Sequence, residues 1–107
     1  MKNKYTPDHW VLVQLESPEY KTTKILSGWY GGYLNADTWR LSSGVSSIED
    51  HGTHYIMHNE SGSVYTCRKS SEGFTSLSGS IYNGWLEQSK TRGISIKTIE
   101  VKDYERI

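Results

Sequence analysis

The sequence predicts an α+β fold: a mainly antiparallel β-sheet of about five to six strands with one amphipathic helix near the C-terminus. Two observations predict it. Short runs of β-branched and aromatic residues, bounded by Gly, Pro, Asn and Ser, occupy roughly the first two thirds of the chain. A segment with apolar residues at helical spacing follows, and one more strand pattern comes after it. The 107 residues fit a single domain, 1–107, with one modest core.

The first strand is predicted over residues 10–16 (WVLVQLE), a mostly apolar run typical of a central strand that is covered on both faces. Residues 20–29 form the next strand. The Gly31-Gly32 pair then predicts a turn into a third strand over residues 38–45, which residues 46–50 continue.

Side chains alternate along a strand, so Trp39 and Leu41 share one face of the third strand, while Arg40 and Ser42 share the other. Burial is expected for Trp39 and exposure for Arg40.

Residues 54–58 and 63–69 read as a β-hairpin around a four-residue loop. Apolar residues at helical spacing predict the amphipathic helix over residues 74–91, with an N-cap at Ser71 or Thr75. Gly93 suits the left-handed conformation that ends a helix. A last strand is predicted over residues 94–101.

The charge is balanced, with twelve basic and twelve acidic residues, so duplex nucleic acid is not an expected partner. No apolar stretch is long enough to cross a bilayer, and no membrane partner is expected. Cys67 is the single cysteine, which excludes a disulfide within the chain, and the first ten residues lack the apolar run of a signal peptide. These features predict a cytoplasmic protein.

Residues 27–45 (SGWYGGYLNADTWRLSSGV) concentrate aromatic rings, glycines and small hydroxyls. Rings in such a segment can stack on a base, while an arginine and hydroxyls bond phosphate or sugar oxygens. The alternative is that the rings fill the core of a small β domain. For Tyr33, exposure to solvent is expected. The predicted ligand-binding residues are Trp29, Tyr30, Tyr33, Trp39, Arg40, Ser42 and Ser43.

Three histidines, His51, His54 and His58, form a second candidate group. Positions four apart on a strand lie about 13 Å from each other, too far to share one metal ion unaided. His51-Gly52-Thr53 resembles the H-x-T element of the two-histidine phosphoesterases, but the second element is absent. Cys67 could act as a nucleophile beside a histidine, although a small core residue is the favoured interpretation. No catalytic residue, metal ion or cofactor is predicted.

The patterns G-W-Y-G-G-Y and W-R-L-S-S-G within residues 28–44 resemble small uncharacterised proteins of tailed bacteriophages. Residues 5–11 (YTPDHWV) and 61–67 (SGSVYTC) share the likeness. The resemblance implies no particular activity. It implies an accessory protein made in the host cytoplasm during infection, a class that often blocks host defence.

Within that class we expect a non-enzymatic protein that sequesters a nucleotide-derived small molecule. One alternative is a phosphodiester hydrolase that uses the 51–58 histidines. Another is a protein-binding inhibitor or a structural β module without a small ligand. A homo-oligomer is also expected, because pockets of small proteins are often completed across a subunit interface.

Overall fold

The computed structural model describes residues 3–31 and 36–104. Within them, eight strands form two four-stranded sheets beside one α-helix, so the α+β class is confirmed and the predicted count of five to six strands is wrong. The elements are β1 (Lys4–Tyr5), β2 (His9–Glu16), β3 (Lys21–Trp29), β4 (Thr38–Leu41), β5 (Val45–Asp50), β6 (His54–Asn59), β7 (Val64–Arg68), α1 (Ser76–Ser89) and β8 (Ser95–Ile99), with short 3-10 turns at Lys69–Ser71 and Val101–Asp103.

The two sheets have separate strand orders. The central sheet runs β4-β3-β2-β8 and is antiparallel throughout. The outer sheet runs β1-β7-β6-β5, and its one parallel pair joins β1 to β7. The predicted predominance of antiparallel pairing is therefore confirmed.

The central sheet lies between the outer sheet and α1. On one face of β2, Trp10 and Leu12 pack in a core cluster with Met57 of the outer sheet. On the other face, Val11 and Val13 belong to a second cluster that includes partly buried side chains of α1. The predicted central strand, covered on both faces, is confirmed.

The predicted strand over residues 38–45 is wrong, because the chain changes sheets after Leu41. The Ser42 backbone N–H donates to the Ile25 carbonyl at 2.9 Å, and Ser42 Oγ accepts the Ile25 N–H at 2.8 Å. The hydroxyl thus takes the place of a strand carbonyl beside β3. The chain then crosses at the buried Gly44, and β5 begins in the other sheet.

The predicted helix cap at Thr75 is confirmed. Thr75 Oγ1 accepts the Ser78 N–H at 3.0 Å, and Ser78 Oγ accepts the Thr75 N–H at 2.9 Å, which forms a capping box. Gly93 has the predicted left-handed backbone, with φ of +69°. Among the helices that the structure describes, none has both the length and the apolar character to span a membrane.

Candidate functional site

The central sheet separates the residues predicted to bind a ligand. Trp29 and Arg40 lie towards Tyr5 of the outer sheet, whereas Trp39 lies on the helix side. Tyr33 falls outside the described residues. Of the predicted residues that the structure describes, Trp29 and Arg40 therefore lie on the opposite side of the central sheet from Trp39, and each group has its own surroundings.

Trp29 and Arg40 meet at Tyr5, a residue of β1 that the sequence analysis did not select. The Tyr5 ring lies 6.2 Å from the Trp29 ring, and the Arg40 guanidinium carbon lies 4.8 Å from the Tyr5 ring centroid. The Trp29 indole N–H donates to the Thr6 carbonyl at 3.0 Å. Arg40 is exposed as expected, and its guanidinium makes a cation–π contact within the fold.

Tyr30 directly follows β3, and 52% of its surface is exposed. Its backbone N–H donates to the Asp8 carboxylate at 2.8 Å, and its ring stands edge-on to the His9 imidazole at 5.6 Å.

Trp39 points to the helix side with Leu41, as the alternation along β4 predicts. Its ring meets the Trp85 ring of α1 edge to face, with centroids 5.6 Å apart. The expected burial is wrong, since 39% of Trp39 is exposed. The reason is that β4 is an edge strand and α1 covers its helix side only in part.

The hydroxyls of Ser42 and Ser43 have partners within the fold. Ser42 is buried, and besides accepting from Ile25 it donates to the Ser43 carbonyl at 2.7 Å. Because β4 ends at Leu41, Ser42 does not share a strand face with Arg40 as predicted. Ser43 Oγ donates to Ser61 Oγ at 2.9 Å and accepts the Ser61 N–H at 3.1 Å.

A cavity that the sequence analysis missed opens beside the Trp39–Trp85 pair. We name it the Trp85 groove. It has a volume of about 290 Å³ between the C-terminal half of α1 and the ends of β2, β4 and β8. Its lining residues are Leu15, Leu41, Trp85, Gln88, Ser89, Arg92, Ile94 and Ile96.

Arg92 supplies the positive charge of the Trp85 groove. Its side chain is exposed, and it forms no ion pair with any residue that the structure describes. The helical pattern assigned Trp85 to the apolar face of α1, and nothing local marked Arg92. Their proximity to Leu15 and Leu41 depends on the packing of α1 against the central sheet.

The three histidines gather around Glu49 on the outer sheet. Glu49 Oε1 lies 2.9 Å from His51 Nε2, and Glu49 Oε2 lies 2.5 Å from His58 Nε2. Both rings donate to the carboxylate, and these hydrogen bonds, His51 first, lower the pKa of Glu49. The His54 ring stacks on the His51 ring with centroids 5.4 Å apart.

Cys67 is a core residue. It is fully buried in the cluster between the sheets, and burial raises the pKa of its thiol to about 12. The thiol is therefore protonated at neutral pH. In residues 3–31 and 36–104, no three His, Cys, Asp or Glu side chains are placed to hold a metal ion.

No protein-family model, curated protein or solved structure matches this chain. The resemblance to tailed-phage proteins stays a prediction.

Proposed function

We propose that the protein binds a nucleotide-derived small molecule in the Trp85 groove and holds it unchanged. One observation carries the proposal. The groove combines a partly buried indole, Trp85, with the Arg92 guanidinium over a floor that includes Leu15 and Leu41. This is the combination of apolar surface and a few polar groups that small-molecule sites favour.

Each part of the groove suits one part of a nucleotide. A base that stacks on an aromatic ring gains about 1–3 kcal/mol, and the Trp85 ring offers such a surface. The planar fork of Arg92 matches a phosphate group. Gln88 on the same wall carries an amide that can donate to and accept from a base edge.

The chemistry of the lining favours binding without turnover. Of the described residues around the groove, none is His, Cys, Asp or Glu. The Ser89 hydroxyl donates its proton to the Leu86 backbone carbonyl at 2.9 Å rather than to a side chain that could act as a general base. A ligand in the groove would therefore leave as it entered.

The phage resemblance supplies the biological setting of the proposal. In the cytoplasm of an infected cell, a protein that retains a nucleotide-derived signal would keep it from its host receptor. A homo-oligomer would favour this role if a second subunit covered the open side of the groove.

Native mass spectrometry tests the proposal. Protein purified from bacteria is measured before and after incubation with mononucleotides, cyclic nucleotides and ADP-ribose. We expect a retained nucleotide of unchanged mass, which Arg92→Ala releases. Lys90→Ala is the matched control, because this exposed cation pairs with Glu87 outside the Trp85 groove and its loss should leave binding intact. Absence of any retained nucleotide would contradict the proposal.

A phosphodiester hydrolase is the second candidate, and the grouping of histidines around Glu49 favours it. Glu49 orients His51 and His58 through Nε2, which leaves Nδ1 of each ring for proton transfer. One imidazole would deprotonate a water, and the other, protonated, would give its proton to the leaving oxygen. Arg68, opposite His54 in the β6–β7 pair, could bind the phosphate.

The hydrolase candidate is tested with 2′,3′-cyclic AMP and bis(p-nitrophenyl) phosphate as substrates. Product formation that His58→Gln abolishes would support it. His9→Asn is the control, since His9 lies apart from Glu49 and bonds the Ser71 carbonyl through Nδ1. An equal background rate in all three proteins would exclude this candidate.

A further inference from the structure

The Trp85 groove adjoins a second, larger cavity. This cavity has a volume of about 590 Å³ and lies beside the turn between β2 and β3. Leu15 and Leu41 line both cavities, so the two share an apolar ridge. A ligand that crosses this ridge would contact both spaces at once.

The second cavity, like the first, is lined by one aromatic side chain. Tyr20 lines it with 52% of its surface exposed. The residue is held by the Ser17–Tyr20 turn, in which the Ser17 N–H donates to the Tyr20 carbonyl at 2.8 Å. Trp85 and Tyr20 therefore offer one ring in each cavity on either side of the ridge.

Positive charge is also present on both sides. Lys24 lies on β3 in the second cavity, and its side chain, like that of Arg92 in the first, has no hydrogen-bond or ion-pair partner in the described part of the chain. Lys21 lines the same cavity. The one acidic group in this lining is Glu60, whose carboxylate lies beside Gly44 and Thr22, where it can accept from a sugar hydroxyl.

The sizes indicate more than one nucleotide. Pockets for small molecules occupy about 300–1,000 Å³, and the Trp85 groove alone stands at the lower limit. Both cavities together reach the upper part of that range. A mononucleotide would fill one cavity and leave the second ring and the second cation without contacts.

Building on the proposed function, we propose that the ligand is a dinucleotide, with one base on Trp85, the other on Tyr20, and the phosphates near Arg92 and Lys24. The two rings recognise the bases by stacking, and the two cations recognise the phosphates.

Isothermal titration calorimetry with AMP, GMP and the 5′-phosphorylated dinucleotides pApA and pGpG tests this inference. We expect at least one dinucleotide to bind about ten-fold tighter or more than its mononucleotide, because the second base adds a stacking contact. Tyr20→Ala and Lys24→Ala should reduce dinucleotide affinity to that of the mononucleotide and leave mononucleotide affinity unchanged. Arg92→Ala should weaken both.

Lys97→Ala is the matched control, a strand lysine whose side chain lines neither cavity. Its dinucleotide affinity should equal that of the unmodified protein. Circular dichroism of each variant checks that the fold is retained; Tyr20 is an exposed turn residue, so its replacement should leave the fold intact.

Three results would overturn the inference. Equal affinity for mononucleotides and dinucleotides would exclude a two-site ligand while leaving the proposed function in place. Unchanged dinucleotide affinity in both Tyr20→Ala and Lys24→Ala would place the second nucleotide elsewhere. Absence of binding by all four nucleotides would overturn this inference and exclude these nucleotides as ligands of the proposed function.

Discussion

Trp39 and Trp85 meet edge to face, and this contact joins the edge strand β4 to the helix α1. The two rings come from distant parts of the sequence, and Trp85 also lines the Trp85 groove. The contact is therefore a packing interaction that positions one wall residue of the proposed ligand site.

Replacement of Trp39 by alanine should lower the free energy of unfolding by about 1–2 kcal/mol. An edge-to-face pair contributes about 0.5–1.5 kcal/mol beyond the area it buries, and Trp39 is 39% exposed, which limits the buried area. Urea denaturation measures the change. Tyr20→Ala is the control, since this exposed ring should alter stability by less than about 0.5 kcal/mol. Equal losses in the two variants would show that the Trp39–Trp85 contact is not stabilising.

Two glycine-to-alanine substitutions should have opposite effects. A Cβ at Gly28 would lie 2.6 Å from Thr75 Cγ2 and Oγ1, so Gly28→Ala should cost about 1–3 kcal/mol through overpacking. A Cβ at Gly84 would meet nothing within 4 Å, and this residue lies inside α1. Gly84→Ala should therefore stabilise the protein by up to about 1 kcal/mol. Thermal and urea unfolding measure the change in stability of each variant. A stabilised Gly28→Ala variant would contradict the close packing of Gly28 against Thr75.

Stability should fall in acid because of Glu49. The hydrogen bonds from His51 and His58 hold the pKa of this carboxyl below its ordinary value of 4.5. A carboxyl whose pKa is lower in the folded state than in the unfolded state stabilises the fold. This contribution is fully present at a pH above the pKa of the unfolded state, and it is lost as the pH falls through the pKa of the folded state. Below pH 4.5, the free energy of unfolding of Glu49→Gln, measured by urea denaturation at each pH, should therefore fall less steeply with decreasing pH than that of the unmodified protein. His58→Gln removes one of the two donors to Glu49 and should reduce this pH dependence in part. Identical pH profiles of stability in all three proteins would contradict the role of Glu49.

Cys67 should resist thiol reagents in the folded state. Burial raises the pKa of its thiol to about 12, so the reactive thiolate is scarce at pH 8. We expect 5,5′-dithiobis(2-nitrobenzoic acid) to react slowly with the native protein and to release one equivalent rapidly in urea. Rapid native reaction would contradict the core position of Cys67.

Much of the fold could be predicted from local patterns. The continuous apolar run at Trp10 predicts a doubly covered strand, because two packed faces require apolar side chains in both directions. Thr75 marks the start of the helix through capping chemistry, whereas the helix ends at Ser89, before the left-handed Gly93 that the sequence pattern predicts as its end. Pattern alone missed β1, since Lys4–Tyr5 is too short for a recognisable alternation. It also missed the change of sheet at Ser42, where a side-chain hydroxyl replaces a strand carbonyl.

The candidate site could be predicted only in part. Alternation along β4 assigns Trp39 and Arg40 to opposite faces, but it does not identify what packs on each face. Tyr20, Lys24 and Arg92 come together through strand pairing and the docking of α1, so no short segment contains their pattern. Proximity of this kind depends on tertiary structure.

The pairing of β2 with β8 has a consequence for how the chain folds. Leu12 lies opposite Ile99, so this edge of the central sheet closes between residues near opposite limits of the described chain, whereas the β5–β6 and β6–β7 pairs join strands that are adjacent in the sequence. Loops of that length close slowly. During synthesis, the outer hairpins can assemble as they emerge, while one side of β2 stays open to other chains until the last strand arrives. We expect the risk of aggregation to be greatest in that interval, because the open strand edge can pair with other chains.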